Sequence, residues 1–481
     1  MKKIIYIIFI ITIVSCGDDN DAVTYFGGQI VNPKSDIVVL YKNDIAVDTV
    51  FLDDHNKFMF EFEDLKSGLY KFESEPEYQH FILEKGDSLL LRLNTMDFDE
   101  SLVFSGKGAK KNNFFIDQFL KEEDDEKLIK GDFLKYPAHI FKEKIDSLHN
   151  QRVANLNEFE KHNHISEYSK KLLHSNIDFN LYRYMEIYPL LYNNMYDKKL
   201  NLSDLDNNFY SYRKEINVNQ EDLNDFTPLT RYLRFYSAGE AYKNVVKDHP
   251  EFSHDSIVST IEYQIEKLKV LGNEIQEINT HDNTMRNAAY IYFFNDKRDL
   301  SKDDVYINSF ITYNKENKYL PEVKDLYKNI QGLKSGKKLD SITFVCEQGN
   351  HLTIKQINKK QLTVYYFWAL NQKNHFHNII KRVHQLNKRF PKVKFVGINR
   401  DLDQKTWVAT LKKYHLDATC QYRITDFEYT HQKLIINKMN KVLVIDSNGV
   451  IIDAFANIYD GNFESILSAA KNKEYIAQSL K

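Results

Sequence analysis

The residues best suited to chemistry lie in one stretch, TVYYFWALNQKNHFHNII, at positions 363–380. Its apolar first half predicts a buried strand, and its second half predicts an amphipathic helix. Gln372 stands where this helix should begin, and His375 follows one turn later. The start of a helix offers free backbone N–H groups and a positive dipole end, which stabilise a thiolate. Because neither Gln372 nor His375 carries a thiol, this helix start cannot supply a thiolate.

Three histidines of this helix, His375, His377 and His384, suggest a metal site. Zinc requires three or four ligands that converge on one point. Two positions separated by two residues on a helix diverge by about 200°. We therefore expect exposed or capping histidines, and we predict no metal and no other cofactor.

The chain has three cysteines, of which Cys16 belongs to the amino-terminal segment described below. Cys346 falls in a predicted strand and Cys420 near the start of another. Because neither stands at a helix N-terminus beside a second thiol, we expect structural cysteines. The sequence leaves open whether they are free or bridged, and a single reactive thiol is the alternative.

Composition and charge restrict the function classes. The 481 residues are 42% hydrophobic, and 65 Lys and Arg against 68 Asp and Glu give a net charge of −3. No basic field favours nucleic acid, so we expect no such partner. The acidic run KEEDDEK at 121–127 lacks the glycine-bearing spacing of a calcium loop, and we expect a solvated loop there.

The first residues predict a targeting segment. Lys2 and Lys3 precede the apolar residues 4–13, and the tetrad Ile13-Val14-Ser15-Cys16 resembles a bacterial lipobox. The resemblance implies a signal peptide at 1–15 and lipidation of Cys16. A transmembrane anchor is the alternative, but the apolar run is short for the ~20 residues that a bilayer needs. Residues 16–24 then form an acidic tether, which is either an export signal or a plain spacer.

Three parts should follow the tether. Short apolar or alternating runs with polar turns predict a β-sandwich-like domain at 25–105. Apolar residues at intervals of three and four predict helices through 106–335, with Pro189 ending one helix. A second helix should begin at Ser253 or Asp255 and end at Gly272. Alternating strands and helices predict an α/β domain at 336–481, closed by a hairpin around Asn448-Gly449. The fold class is therefore multidomain α+β.

The motifs FWA at 367–369 and VLVIDSNGVII at 442–452 resemble the thioredoxin-like domain of TlpA/ResA-type lipoproteins. LKSGLYKF, LEKGDSLLLRL and FSGKGAKKNNFF likewise resemble the β-domain that precedes it in many of them. The resemblance places the two active-site cysteines of that family at Gln372 and His375, with Asn371 in place of a tryptophan. It places the family's cis-proline at about Asn440. Because a non-proline cis bond costs about 3 kcal/mol, we expect a trans peptide bond there.

These losses predict a redox-inactive domain. We expect an outer-membrane lipoprotein of the cell envelope, facing the periplasm or the cell surface. It would act as a protein- or peptide-binding or scaffold subunit. The predicted binding face comprises Trp368, Asn371, Gln372, His375 and Asn440. The alternative is a thiol-disulfide oxidoreductase that uses Cys346 or Cys420 alone.

Overall fold

The computed structural model describes residues 23–43, 45–196, 200, 205, 208–224, 226–295, 298–339, 342–436 and 440–479. The predicted signal peptide, Cys16 and nearly all of the predicted tether therefore lie outside the described residues. The chain divides into two compact units, one comprising the residues up to 288 with 312–314, the other comprising 289–311 with 315–481. No helix in the described part combines the length and apolar character needed to cross a bilayer.

The first unit begins with two four-stranded sheets, in the orders β4-β1-β7-β8 and β3-β2-β5-β6. Their strands are β1 Thr24–Val31, β2 Ile37–Lys42, β3 Ile45–Phe51, β4 Lys57–Phe62, β5 Gly68–Ser74, β6 Glu77–Leu83, β7 Ser88–Asn94 and β8 Val103–Lys107. Alternate residues of both sheets form one core, in which the rings of Phe26 and Phe81 stack 4.2 Å apart. The predicted β-domain is thus present.

Two asparagines join this β-domain to the helix that follows. Asn112 bonds both backbone groups of Ile82 on edge strand β6, at 2.7 and 2.8 Å. Asn113 does the same to Phe104 on edge strand β8, at 2.8 and 2.9 Å. An edge strand exposes unpaired N–H and C=O groups, and a side-chain amide can replace the missing neighbour. The sequence KKNNFF therefore covers one site on the edge of each sheet.

Helices occupy the middle of the chain, as predicted. They are α1 Phe98–Ser101, α2 Ala109–Gly131, α3 Ala138–His162, α4 Glu167–Tyr196, α5 Thr227–Asp248, α6 His254–Ile257, α7 Ile261–Glu274, α8 Ile278–Phe293, α9 Asp303–Tyr313 and α10 Leu320–Gly332.

The predicted boundaries of two helices are wrong. Helix α4 continues through Pro189 to Tyr196. It packs so closely on α5 that a Cβ on Gly239 would lie 2.0 Å from the Glu186 carbonyl oxygen. This burial outweighs the roughly 3 kcal/mol that an interior proline costs. Ser253 is the N-cap residue only of the short helix α6, and its side chain makes no capping hydrogen bond. The longer helix α7 begins after Thr260, whose hydroxyl accepts the Tyr263 N–H, and it runs through Gly272 to Glu274.

The acidic run at 121–127 is also not a loop, because it lies within α2. Asp125 is buried and accepts two hydrogen bonds from Arg152 of α3, one of them 2.9 Å from Nε. Glu122 pairs with Arg183 at 2.9 Å. These acidic side chains therefore join helices instead of facing solvent.

The second unit contains a seven-stranded mixed sheet in the order β10-β9-β13-β12-β11-β14-β15. Its elements are β9 Thr343–Val345, β10 His351–Thr353, α11 Ile354–Asn358, β11 Thr363–Trp368, α12 Lys373–Arg389, β12 Lys394–Asn399, α13 Gln404–Lys413, β13 Gln421–Arg423, α14 Phe427–Leu434, β14 Lys441–Ile445, β15 Ile451–Asn457 and α15 Phe463–Ser479. Strands β11, β12 and β13 are parallel, while β14 and β15 form the predicted hairpin. The predicted fold class is confirmed.

Candidate functional site

The candidate site begins where β11 passes into α12. All six residues of β11 are buried, since it lies in the middle of the sheet. Helix α12 buries Phe376, Ile379, Val383 and Leu386, a spacing of three and four that gives it one apolar face. Gln372 is the N-cap residue of α12, and its side chain makes no capping hydrogen bond.

The loop between β11 and α12 is held by a carboxylate from the next strand. Oδ2 of Asp401 accepts the backbone N–H groups of Leu370 at 2.8 Å and Asn371 at 3.1 Å. Its Oδ1 accepts the side-chain amide of Asn399 at 2.8 Å. Because β11 and β12 are parallel, their carboxyl ends meet at one edge of the sheet. Asp401 therefore orders the loop from the end of β12.

Trp368, the last residue of β11, is buried where this loop begins. Its side chain is 0% exposed, and its ring lies 5.1 Å from that of Phe376. The indole N–H donates to Oε1 of Gln421 at 3.0 Å, and the Gln421 amide donates to the Tyr366 hydroxyl at 2.8 Å. The side chains of Trp368, Gln421 and Tyr366 thus satisfy one another by hydrogen bonds, as burial requires. Trp368, which the sequence placed on the binding face, therefore contributes no surface of its own.

The other predicted binding residues separate into two places. Asn371 and Gln372 are exposed on the loop. His375 is half-buried, and it lines one groove of about 690 Å³ together with Asn440. The remaining lining residues are Asn378, Lys381, Arg382, Gln385, Tyr459, Asp460, Gly461 and Glu464. The structure thus brings together His375 and Asn440, although 64 positions separate them in the sequence.

The groove is polar, and two of its charged side chains, Arg382 and Glu464, pair with each other. Arg382 donates to the Ile458 carbonyl at 3.1 Å and to Glu464 at 3.2 Å. Glu464 also pairs with Arg389 at 2.7 Å. The side-chain amides of Asn378, Gln385 and Asn440 supply donors and acceptors along the wall, and Tyr459 is 41% exposed. Such a wall can bond the backbone of an extended polar chain.

Lys441, the neighbour of Asn440 in the sequence, joins the start of β14 to the end of α14. The buried ammonium of Lys441 donates to the carbonyl of Ile435 at 2.9 Å and to that of Leu434, which end α14. It also lies 4.3 Å from the centre of the Phe455 ring. Ile435 has φ of +51°, a conformation that β-branched residues rarely adopt. Residues 437–439 are outside the described part of the chain, and so is the peptide bond before Asn440.

A half-buried histidine lies near this end of α14. Burial is the main cause that lowers the pKa of His431 below its usual range, and the positive charges of Arg400 and Lys441 lower it further. Glu428 acts in the opposite direction. The neutral form of His431 is therefore favoured.

The two cysteines of this unit are both free, and neither lies beside the start of α12. Cys346 is buried directly after β9, where the Gln404 amide donates to its carbonyl at 3.2 Å. Cys420 is half-buried and ends a short 3₁₀ turn before β13. Strand β12 separates β13 from β11 in the sheet. Within the described residues, no three His, Cys, Asp or Glu side chains are grouped as a metal site requires.

Sequence reasoning missed Asp401, Gln421 and Lys441. A signal existed for Asp401, because it follows β12 at the sheet edge where β11 ends. Gln421 and Lys441 carry no local signal: an amide and a lysine at strand starts are ordinarily exposed.

Residues 358–451 match the family model described as thioredoxin-like. The carboxy-terminal unit contains a thioredoxin-like domain. A search of the curated proteins found no match to the chain.

Several solved structures are similar to this domain. A thiol-disulfide oxidoreductase from Bacteroides fragilis is 20% identical, with a TM-score of 0.22 over 29% of this chain and 99% of its own. The thioredoxin domain of a thiol-disulfide oxidoreductase from Bacteroides vulgatus is 14% identical, with a TM-score of 0.24 over 29% and 99%. A thiol peroxidase from Chromobacterium violaceum is 13% identical, with a TM-score of 0.25 over 29% and 88%.

Proposed function

We propose that this protein is a lipoprotein of the cell envelope whose thioredoxin-like domain has no dithiol activity and binds an extended peptide segment of another envelope protein. The observation that carries the proposal is the start of α12, where Gln372 is the N-cap and His375 lies in the first turn. Dithiol exchange needs a thiolate at that N-cap and a second thiol one turn later.

Peptide binding is supported by the groove. Two of its amide side chains, Asn378 and Gln385, are on α12, and His375 lines the same space as Asn440. Main-chain groups of an extended peptide need donors and acceptors at intervals, which Asn378, Gln385 and Asn440 provide. The fold itself carries no function, so this assignment depends on the groove alone.

Anchoring rests on the amino-terminal sequence. The resemblance of residues 13–16 to a lipobox, together with the TlpA/ResA-type motifs, supports an outer-membrane lipoprotein. Several acyl chains hold a protein far more firmly than one, since each buried methylene contributes about 0.8 kcal/mol. A Cys16→Ala variant should leave the membrane fraction, whereas wild type remains there; equal membrane retention of both would contradict lipid anchoring.

Redox inactivity is tested by disulfide reduction. With dithiothreitol as the reductant, wild type should reduce the disulfides of insulin no faster than a Cys346→Ser/Cys420→Ser variant. A Gln372→Cys/His375→Cys variant, which introduces a thiol pair at the start of α12, is the comparison. Wild-type turnover that disappears in the Cys346→Ser/Cys420→Ser variant would overturn the proposal and favour a single-cysteine oxidoreductase.

Binding is tested by site-specific crosslinking. A photoreactive residue at Asn378, within the groove, should capture one defined segment of one envelope protein in intact membranes. The same residue at Lys412, exposed on α13 and outside the groove, is the matched control. Equal capture from both positions, or none from Asn378, would refute the groove as the binding site.

A further inference from the structure

A second cavity lies in the amino-terminal unit, away from the thioredoxin-like domain. Its volume is about 310 Å³, within the range of small-molecule sites. Strand β6 and the starts or middles of α2, α4 and α5 surround it. Its lining includes four phenylalanines and three charged side chains, Glu77, Glu122 and Arg231.

One side of this cavity is aromatic. Phe98, Phe115, Phe119 and Phe226 contribute four rings, and those of Phe115 and Phe226 lie 6.3 Å apart. Rings at this separation contact a further ring by edge or offset stacking. The wall therefore suits a flat apolar group.

The lining also includes a cation with unused donors. Arg231 is 42% exposed and donates from Nη1 to Glu122 at 3.2 Å. A guanidinium has five N–H donors, so this single contact leaves most of them available. Glu122 is also bound by Arg183 at 2.9 Å. Arg183 is shared with Glu126 at 3.5 Å, and Glu77, which also lines the cavity, is paired with Lys34 at 3.0 Å. Both lining carboxylates are therefore paired with cations, and Arg231 keeps donors for a further anion.

A second feature suited to an anion is the N-terminus of α5. Its N-cap is Phe226, a side chain without an acceptor, and its first turn contains no acidic residue. Thr227 and Pro228 of this turn line the cavity together with Arg231. The amino end of a 22-residue helix contributes roughly half a positive charge and free N–H groups. A carboxylate in the cavity would therefore meet the guanidinium and the helix end together.

We propose that this cavity binds a small aromatic carboxylic acid, its ring against the four phenylalanines and its carboxylate on Arg231 and the first turn of α5. Charge complementarity selects an acid over a neutral or cationic compound of the same shape. The Glu122 carboxylate does not compete for the same donors, because Arg183 and one N–H of Arg231 already hold it. The site is independent of the proposed peptide groove, which lies in the other unit.

The test is calorimetric titration of the full chain with 3-phenylpropionate, compared with 3-phenylpropanamide, which has the same shape without the charge. We expect saturable binding of the acid and at least about tenfold weaker binding of the amide, since a hydrogen bond between two charged groups is roughly twice as strong as a neutral one. Arg231→Gln should remove the preference for the acid. Lys247→Gln, an exposed charge in the last turn of α5, should leave both affinities unchanged.

Phe119→Ala separates the two halves of the site. It should weaken the acid and the amide equally, because it removes ring contact and leaves the charge in place. Far-UV circular dichroism checks that each variant retains its helices. Absence of saturable acid binding to wild type, equal affinity for acid and amide, or the same loss in Lys247→Gln as in Arg231→Gln would each overturn the proposal.

Discussion

Replacing Lys441 by methionine tests how much its buried ammonium contributes to the stability of the carboxy-terminal unit. Lys441 is 5% exposed, and its ammonium bonds the two carbonyls that end α14 and contacts the Phe455 ring. Methionine is similar in length and keeps the apolar contact with the ring, but it donates nothing. Lys441→Met therefore removes the hydrogen bonds and the charge while changing the packed volume little.

The magnitude follows from three contributions. Two buried carbonyls lose their donor, at about 1–3 kcal/mol each. The contact between the cation and the Phe455 ring contributes about 1–2 kcal/mol when desolvated. Against these, methionine avoids the burial of an ammonium, which itself costs several kcal/mol. We expect a net loss of about 2–4 kcal/mol in the free energy of unfolding.

The protein provides its own probe for this measurement. Both of its tryptophans, Trp368 and Trp407, are buried in the carboxy-terminal unit. Urea unfolding followed by tryptophan fluorescence therefore reports on the unit that contains Lys441. Lys412→Met, on the exposed end of α13, is the matched control and should change stability by less than about 0.5 kcal/mol. If the two variants unfold at the same urea concentration, the assigned role of Lys441 is refuted.

Three further predictions concern stability. Gly397→Ala places a Cβ 2.2 Å from Oε1 of Gln421, so the hydrogen bond that this oxygen accepts from Trp368 must break. We expect the free energy of unfolding, measured with urea, to fall by about 1–3 kcal/mol. Gly461→Ala, where no heavy atom lies within 4 Å of the new Cβ, is the control and should be near neutral. Because the pKa of His431 is lowered on folding, the unfolded chain binds more protons below pH ~6.5, and stability falls as the pH drops through that range; His431→Gln should flatten this dependence between pH 7.5 and 5.5, and unchanged slopes would contradict it. Burial lowers the pKa of Lys267 to about 8, so its charge opposes folding at pH 7 and ceases to do so toward pH 10.5. In thermal unfolding followed by circular dichroism, Lys267→Met should stabilise the amino-terminal unit by up to about 2 kcal/mol at pH 7 and by less at pH 9.5. An equal gain at both pH values would contradict the lowered pKa of Lys267.

Local sequence patterns were sufficient for the closing hairpin and for the central strand β11. The hairpin around Asn448-Gly449 is encoded by two β-rich runs and a glycine at φ of +81°, all within a few residues. The burial of β11 follows from its continuous apolar sequence, because strands covered on both faces do not alternate. Such features depend on near neighbours, so one sequence reveals them.

The wrong predictions share a different cause, which is contact with a distant segment. Pro189 remains in α4 because α5 packs on that helix at Gly239. The acidic run at 121–127 is helical because Asp125 and Glu122 meet arginines on α3, α4 and α5. Neither partner can be inferred from local spacing, since intrinsic preference is a weak prior that tertiary packing overrides.

The candidate site shows the same division, and this bears on how a thiol pair can be absent from a fold that keeps its shape. The loop side chains Asn371 and Gln372 are exposed, and Gln372 makes no capping bond. The groups that fix the loop backbone, Asp401 and the Trp368–Gln421–Tyr366 chain, belong to β11, β13 and the end of β12. Exchanging a side chain at Gln372 therefore disturbs no buried hydrogen bond and should change stability by less than about 0.5 kcal/mol. The side chain at this position can therefore vary while the supporting elements hold the same loop geometry.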